Sequence, residues 1–138
     1  MNYVRLKEQL KTDEGFSATP YKDSVGKLTI GYGRNLDDVQ LSLKEADYLL
    51  ETDINKALLD AEKAVDNFYL LDDVRQEVII NMVFNMGLPR FKGFKKTIKL
   101  IENNEFEKAS KEMLNSKWAN QVGRRALKLS TMMKVGKL

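Results

Sequence analysis

Apolar residues recur every three or four positions along most of the chain, and they change to alternation with polar residues in one short stretch near its start. Tyr3, Leu6 and Leu10 have helical spacing and predict an amphipathic helix over residues 2–14. Residues 19–32 alternate around a turn of sequence Asp-Ser-Val-Gly, which predicts a β-hairpin. The sequence therefore predicts a helix end next to a hairpin at the start of the chain.

Helical periodicity returns after the hairpin and continues to the end of the chain. A Ser-Leu-Lys-Glu capping box predicts the start of a connecting helix over about 42–66, whose apolar face we expect to pack in the core. Residues 74–86 are apolar almost all round and predict a central buried helix. After it we expect a compact bundle of shorter helices, with a turn at residues 91–94 and Trp118 in a loop or short turn.

Composition narrows the chemistry that the chain can perform. Its 138 residues suggest one domain, or two small lobes around shared helices. The chain has no cysteine and no histidine, which excludes disulfides, thiol nucleophiles, Ser-His-Asp and Cys-His catalysis, and metal sites built on those ligands. Acid–base chemistry falls to Asp, Glu, Lys or Tyr, so a carboxylate mechanism is favoured if the protein is an enzyme.

Charge is unevenly distributed along the chain. Residues 1–87 carry 10 basic and 16 acidic side chains, a net charge of −6, whereas residues 88–138 carry 13 basic and 4 acidic ones, a net charge of +9. Such asymmetry indicates a basic face for an anionic partner, either nucleic acid or the bacterial cell surface. An ordinary solvated lysine-rich face is an equally good interpretation of the same pattern.

The start of the chain has no apolar signal-peptide core, and no apolar run is long enough to span a membrane. We therefore expect a protein that does not insert into membranes and is made in the cytoplasm of its host without a signal peptide. If it acts on the cell wall, a separate holin-like factor has to release it.

Three side chains near the hairpin could carry acid–base chemistry together. Glu14 follows Asp13 in the last turn of the first helix, which we expect Gly15 to end. A neighbouring carboxylate and the negative end of a helix both favour the protonated form of Glu14, as a general acid requires. Asp23 and Thr29 flank the same turn and are expected to share a face. Each residue alone has an ordinary structural interpretation, and only the ordered set is specific.

The central helix carries two amides on one side. Asn81 and Asn85 lie four positions apart. Because buried amides need hydrogen-bond partners, these two are either hydrogen bonders in the core or residues that line a cleft.

Short blocks along nearly the whole chain occur in a recognisable order. They are residues 13–15, 21–23, 29–33, 80–87, 93–94, 116–118, 120–121 and 125–126. In this order they resemble the phage-type lysozymes, glycoside hydrolase family 24. Several independent blocks in the right order are far more specific than a lone motif.

The resemblance implies a mainly helical α+β fold of the lysozyme-like kind. It implies a single domain over residues 1–138, with a small hairpin lobe at about 12–40, a connecting helix at about 42–66 and a helical lobe at about 67–138, to which the helix over residues 1–14 contributes. The cleft between the lobes would bind peptidoglycan. The implied activity is hydrolysis of the β-1,4 bond from N-acetylmuramic acid to N-acetylglucosamine. No metal or cofactor is implied, and we expect a monomer.

The resemblance also implies roles for individual side chains. Glu14 matches the general acid, Asp23 the second catalytic carboxylate and Thr29 the threonine that helps hold the attacking water. The family is described as inverting, which implies carboxyl groups about 6.5–9.5 Å apart rather than roughly 5 Å. Arg125 matches an arginine that pairs with the catalytic glutamate, and Phe84 matches a position that contacts sugar. Asn85, in the central block, is expected to support the site.

The chain departs from the family pattern at several positions. Thr97 stands where the family commonly has a serine that binds substrate, and Asn35 and Glu112 replace other cleft residues. Arg34 stands where the family often has a histidine paired with the aspartate before the catalytic glutamate, so we expect an Asp13–Arg34 ion pair. The link from the hairpin to the connecting helix is short, so we expect a missing or stunted third strand and a more open cleft.

The sequence therefore predicts a muramidase that acts as a phage or prophage endolysin on peptidoglycan. One alternative is a non-catalytic or weakly catalytic peptidoglycan-binding module, which the intact Glu14, Asp23 and Thr29 argue against. A basic helical nucleic-acid-binding protein is a second alternative. It accounts for the basic half but not for the hairpin residues, so we expect no nucleic-acid partner. The basic half more simply suits adhesion to anionic polymers of the cell wall.

Overall fold

The computed structural model describes residues 1–138 and contains eight α-helices and three β-strands. In chain order these are α1 (Tyr3–Glu14), β1 (Ser17–Lys22), β2 (Leu28–Gly31), β3 (Arg34–Asn35), α2 (Leu43–Ala64), α3 (Asp73–Met86), α4 (Leu88–Lys92), α5 (Lys95–Glu102), α6 (Phe106–Leu114), α7 (Lys117–Val122) and α8 (Arg124–Val135), with a 3₁₀ turn at Phe68–Leu70. The predicted α+β, mainly helical fold is confirmed. None of the helices combines the length and the apolar character needed to cross a membrane.

The chain forms two compact units. The first is Met1–Asp47, which holds α1, the three strands and the start of α2. The second is Tyr48–Leu138, which holds the rest of α2 and all later helices.

The first unit contains a small antiparallel sheet in the order β1-β2-β3. Thr29 lies on its middle strand, opposite Tyr21 on one side and Asn35 on the other. Because β3 is only 2 residues long, the expectation of a stunted third strand is confirmed.

Side-chain caps set the start of both helices that begin in the first unit. Asn2 Oδ1 accepts a hydrogen bond from Arg5 N at 3.0 Å, at the start of α1. Ser42 Oγ accepts from Glu45 N at 3.1 Å, and Glu45 Oε1 accepts from Ser42 N at 2.9 Å. These two reciprocal bonds are the predicted capping box, so the start of α2 was readable from four consecutive residues.

The second unit contains the apolar core, and α3 lies at its centre. Val78, Ile79, Met82 and Val83 form one face of α3, and all are buried, whereas Glu77, Phe84 and Asn85 are exposed. The prediction of a buried helix is therefore confirmed for this face, but the helix is not buried all round. The largest fully buried side chains around it come from the surrounding segments: Phe68, Phe91, Ile101, Met113 and Met133.

The apolar face of α2 is only partly in the core. Ala57 and Ala61, and Val65 after the helix end, are buried. Leu43 and Leu49 are exposed, so the expectation that the whole face packs in the core is wrong for the first half of the helix. The core covers only the second half of the helix.

Two predicted loops are short helices. Residues 91–94 were expected to form a turn, but α4 extends to Lys92 and Phe91 is fully buried. Pro89 lies in the first turn of α4, where its fixed φ favours a helix. Trp118 is buried and lies on α7. Ser116 directly precedes this helix, and its Oγ accepts a hydrogen bond from Ala119 N at 3.1 Å and caps it.

Candidate active site

Glu14 is the last residue of α1, and the chain turns immediately after it. Gly15 ends the helix with a φ of 71° and donates its N–H to Lys11 O at 2.9 Å. A positive φ of this kind is readily adopted only by glycine, which confirms the predicted role of Gly15. The Glu14 side chain is exposed at this helix end, where it can reach a ligand.

The Glu14 carboxylate packs against Gly33 in the turn between β2 and β3. A Cβ atom on Gly33 would lie 2.5 Å from Glu14 Oε2 and 2.8 Å from Glu14 Cδ. Gly33 also has a φ of 70°, which favours glycine, and any side chain there would displace the Glu14 carboxylate. Sequence reasoning included Gly33 in a matching block but gave it no role, although the Gly-x-Gly pattern with Gly31 was a signal.

Asp23 is held by the backbone of its own turn. Its Oδ1 accepts hydrogen bonds from Val25 N at 3.0 Å and from Lys27 N at 2.8 Å. An Asp that bonds amides two residues or more ahead is a strong turn former. The same two bonds fix the orientation of the carboxylate and leave Oδ2 without a donor from the protein, so that oxygen is available to a ligand or a water.

Thr29 is buried in the middle of the sheet, with 3% of its surface exposed. Its Oγ1 donates to Lys27 O at 2.9 Å, and the same carbonyl accepts from Asp23 N at 2.9 Å. Asp23 and Thr29 are therefore both hydrogen-bonded to the backbone of Lys27. Because the hydroxyl proton of Thr29 is donated to that carbonyl, Thr29 Oγ1 can only accept a hydrogen bond from a further partner.

Arg34 pairs with Glu45, so the expected Asp13–Arg34 ion pair is wrong. Arg34 NH1 lies 2.6 Å from Glu45 Oε2, and NH2 donates to Glu45 Oε1 at 3.2 Å and to Gln40 O at 2.6 Å. The capping box already restricts the Glu45 side chain. Binding both carboxylate oxygens to the planar guanidinium group of Arg34 therefore costs little further side-chain entropy. The hydrogen bonds from Arg34, and then those from Ser42, lower the pKa of Glu45 from 4.5 to about 2.

Asn35 organises the link from β3 to α2. Its Oδ1 accepts from Asp37 N at 3.0 Å and from Asp38 N at 3.1 Å, and its Nδ2 donates to Asp38 Oδ2 at 2.9 Å. Asp37 Oδ2 in turn accepts from Leu28 N at 2.8 Å. The amide of Asn35 is thus used within the protein, and its substrate-binding role stays a prediction.

Two residues that we expected at the site share one cavity in the second unit. Phe84 and Arg125 line a cavity of about 370 Å³, and the side chain of Phe84 is 42% exposed. Arg125 Nε donates to Asn81 Oδ1 at 2.8 Å, so Asn81 orients Arg125 in this cavity. The pairing of Arg125 with Glu14 stays a prediction.

The other expected residues of the second unit lie elsewhere. Thr97 and Glu112 line a different cavity of about 430 Å³, and Glu112 Oε1 lies 3.2 Å from Lys96 Nζ. Asn85 Oδ1 accepts from the indole Nε1 of Trp118 at 2.8 Å. Asn85 therefore supports packing. No group of three or more histidine, cysteine, aspartate or glutamate side chains is arranged to hold a metal ion.

The chain is similar in sequence to several known proteins over nearly its whole length. Residues 11–134 match the family described as Phage lysozyme. Two proteins of Dictyostelium discoideum are similar over 96% of this chain and 95% of their own length: "Probable T4-type lysozyme 1" at 32% identity and "Probable T4-type lysozyme 2" at 31% identity.

Proposed function

This chain belongs to the phage lysozyme family, and on that premise we propose that it is a muramidase. It hydrolyses the β-1,4 bond between N-acetylmuramic acid and N-acetylglucosamine in bacterial peptidoglycan. The observation that carries the proposal is the arrangement of the first unit. Glu14 packs on the β2–β3 turn, and Asp23 and Thr29 meet at Lys27 in the same sheet.

Glu14 acts as the general acid. Its carboxyl group lies exposed at the end of α1 and is not hydrogen-bonded within the protein, so it is free to donate to the glycosidic oxygen. As the bond from the anomeric carbon to that oxygen breaks, the oxygen takes the Glu14 proton. Gly33 sets the position of Glu14, because no larger residue leaves room for the carboxylate there.

Asp23 and Thr29 hold the attacking water. A water that attacks the anomeric carbon has to point its protons at acceptors and keep a lone pair free. Thr29 Oγ1 and Asp23 Oδ2 are both acceptors, because Thr29 donates to Lys27 O and the amides of the turn bind Asp23 Oδ1. Asp23 takes one proton of the water as the new bond forms, which leaves Asp23 neutral and Glu14 ionised.

Attack by a water opposite the leaving group inverts the anomeric carbon, so the first product is the α anomer. Following the products by NMR as they form tests this step. Early release of the β anomer would contradict inversion while leaving hydrolysis itself intact.

Arg34 and Glu45 are positioning residues in this proposal. Their forked ion pair ties β3 to the start of α2, and β3 begins directly after Gly33. The pair therefore restrains the turn on which Glu14 packs. Arginine keeps its charge at every working pH, so this restraint does not weaken near neutrality.

Substrate contacts come from further side chains. The exposed ring of Phe84 offers an aromatic surface for a sugar ring, next to Arg125. Thr97 is assigned to substrate binding because it stands where the family commonly has a serine that binds substrate. Asn35 and Glu112 are assigned to it by position alone, because they stand at cleft positions where the family has other residues.

The biological role that we propose is that of a phage or prophage endolysin. The protein is made in the cytoplasm of its host and reaches the wall through a separate holin-like factor, where it works as a monomer.

Release of reducing ends from purified peptidoglycan tests the proposal. Wild type, Glu14→Gln and a matched control, Glu8→Gln, are compared; Glu8 is exposed on the same helix, so both variants lose one carboxylate from α1. We expect wild type and the control to release reducing ends and Glu14→Gln to lose nearly all cleavage. If all three bind the wall without cleaving it, the protein is a peptidoglycan-binding module instead.

A further inference from the structure

Two aromatic side chains of the first unit lie close to Glu14 and to each other. Phe16 follows Gly15 directly after the end of α1, and Tyr32 directly precedes Gly33, the residue that contacts the Glu14 carboxylate. Their ring centroids are 5.5 Å apart, and the ring planes are inclined at 49°. We call Phe16 and Tyr32 the aromatic pair. It borders the carboxyl group that we assign as the general acid.

The sheet brings the two rings together. Ser17 on β1 pairs with Gly31 on β2 in antiparallel register, so residues 16 and 32 extend the two strands opposite each other. Side chains at opposite positions of antiparallel strands are close enough to interact. The aromatic pair is therefore held by the same strand pairing that holds Thr29 in the middle of the sheet.

Both rings are open to solvent, although they are large and mainly apolar. Phe16 is 69% exposed and Tyr32 is 48% exposed. Neither belongs to the apolar core, which consists entirely of residues of the second unit. A single exposed apolar residue is ordinary, but adjacent exposed rings form a larger apolar surface, and such surfaces mark binding sites. Packing in the core does not account for the aromatic pair.

Polar groups border the aromatic pair. Lys11 Nζ lies 5.7 Å from the centroid of the Tyr32 ring, and Lys11 is one helical turn before Glu14 on α1. Lys11 Nζ is also 3.5 Å from Glu8 Oε1, in an ion pair at the surface. Because exposed ion pairs are weak, the ammonium group of Lys11 remains able to donate to another oxygen. The surface therefore offers aromatic faces next to a hydrogen-bond donor and a carboxyl group.

We propose that the aromatic pair binds an N-acetylamino sugar ring of the glycan strand, next to the bond that is cleaved. The C–H groups on one face of a pyranose ring suit an aromatic face, which carries partial negative charge, and the hydroxyl and acetamido oxygens at its edge can accept from Lys11. The Glu14 carboxyl group at the border argues against a lipid surface, because a carboxylate is costly to remove from water. The inference rests on the proposed function, since it takes the glycan as the ligand, and it adds two binding residues to the catalytic set.

Titration with chitotetraose, a soluble β-1,4-linked oligomer of N-acetylglucosamine, tests the aromatic pair. Every protein in the experiment carries Glu14→Gln, so that the oligomer is not cleaved during the titration. The NMR signals of the Phe16 and Tyr32 rings give the local readout and the dissociation constant. We expect saturable shifts of both rings.

Phe16→Leu/Tyr32→Leu removes both rings and leaves apolar side chains in their place. The matched control is Tyr3→Leu/Tyr48→Leu, which removes two comparably exposed rings outside the aromatic pair. We expect about tenfold weaker binding after loss of the pair and unchanged binding in the control, because the loss of one aromatic contact weakens binding by a factor of a few. Far-UV circular dichroism checks that both variants are folded.

Three results would overturn the proposal. They are shifts of other signals without shifts of the Phe16 and Tyr32 rings, equal affinity of the pair variant and the control, and absence of saturable binding. Ring signals that instead move with protein concentration, without the oligomer, would assign the aromatic pair to a contact between copies of the chain. A failure of the muramidase proposal stays distinguishable, because all these proteins are measured by binding alone. Saturable binding at the pair, together with a wild type that does not cleave peptidoglycan, would leave this site standing in a binding module.

Discussion

Replacing Gly33 by alanine should have two effects. It should strain the backbone at residue 33, and it should displace the carboxylate of Glu14. At a φ of 70°, a residue with a Cβ is strained by about 1–2 kcal/mol. The new Cβ would also lie 2.5 Å from Glu14 Oε2 and 3.2 Å from Glu14 Cγ. Glu14 is exposed and flexible at its end, so we expect the carboxylate to move away at little further cost in stability.

The cost in activity should be much larger than the cost in stability. A carboxyl displaced by about 1 Å from a leaving oxygen loses roughly a hundredfold in rate. We therefore expect Gly33→Ala to lower the free energy of unfolding by about 1–2 kcal/mol and kcat by about two orders of magnitude. Urea denaturation and reducing-end release measure the two quantities on the same preparation.

Gly31→Ala is the matched control for this experiment. Gly31 has a φ of 68°, close to that of Gly33, but a Cβ there would meet nothing within 4 Å. It should show the same loss of stability with most of its activity retained. If Gly33→Ala cleaves peptidoglycan as fast as Gly31→Ala does, the contact between Gly33 and Glu14 does not position the acid.

Three further changes test other contacts. The pKa of Glu45 is lowered to about 2, so its ionised form stabilises the fold above about pH 4.5, and this contribution is lost as the pH falls towards 2. The difference in Tm between wild type and Glu45→Gln should therefore shrink over that range, and a constant difference would mean that the charge does not matter. Asp23→Asn keeps Oδ1 for the two turn amides, so we expect unchanged stability and at least a hundredfold lower kcat; near-normal cleavage would remove Asp23 as the base. Ser116→Ala loses the cap of α7 and should cost about 1 kcal/mol in urea denaturation, whereas an unchanged midpoint would show that packing of Trp118 holds that helix alone.

The sequence predicted correctly those helix ends and turns that depend on interactions between residues close together in the chain. The capping box of Ser42 and Glu45 marked the start of α2, and the glycine at position 15 marked the end of α1. The turn at Asp23 closes on its own backbone. Each of these features depends on residues within a few positions of one another, so it is visible without knowledge of the tertiary structure.

Features that depend on distant segments were harder to predict. The partner of Arg34 is Glu45, because the capping box had already fixed that carboxylate near β3. Periodicity marked the apolar face of α2 but could not show that the buried part of this face begins only after Leu49. The role of Gly33 appears only when the end of α1 and the β2–β3 turn come together.

The identity of the sugar at the new reducing end tests the central proposal most directly. Peptidoglycan is digested with the protein, the fragments are reduced with borohydride, and the resulting sugar alcohols are analysed after acid hydrolysis. A muramidase leaves N-acetylmuramic acid at the reducing end, so we expect muramitol from wild type and none from Glu14→Gln. Glucosaminitol in place of muramitol, or equal muramitol from both proteins, would contradict the proposed cleavage by Glu14 at the bond from N-acetylmuramic acid to N-acetylglucosamine.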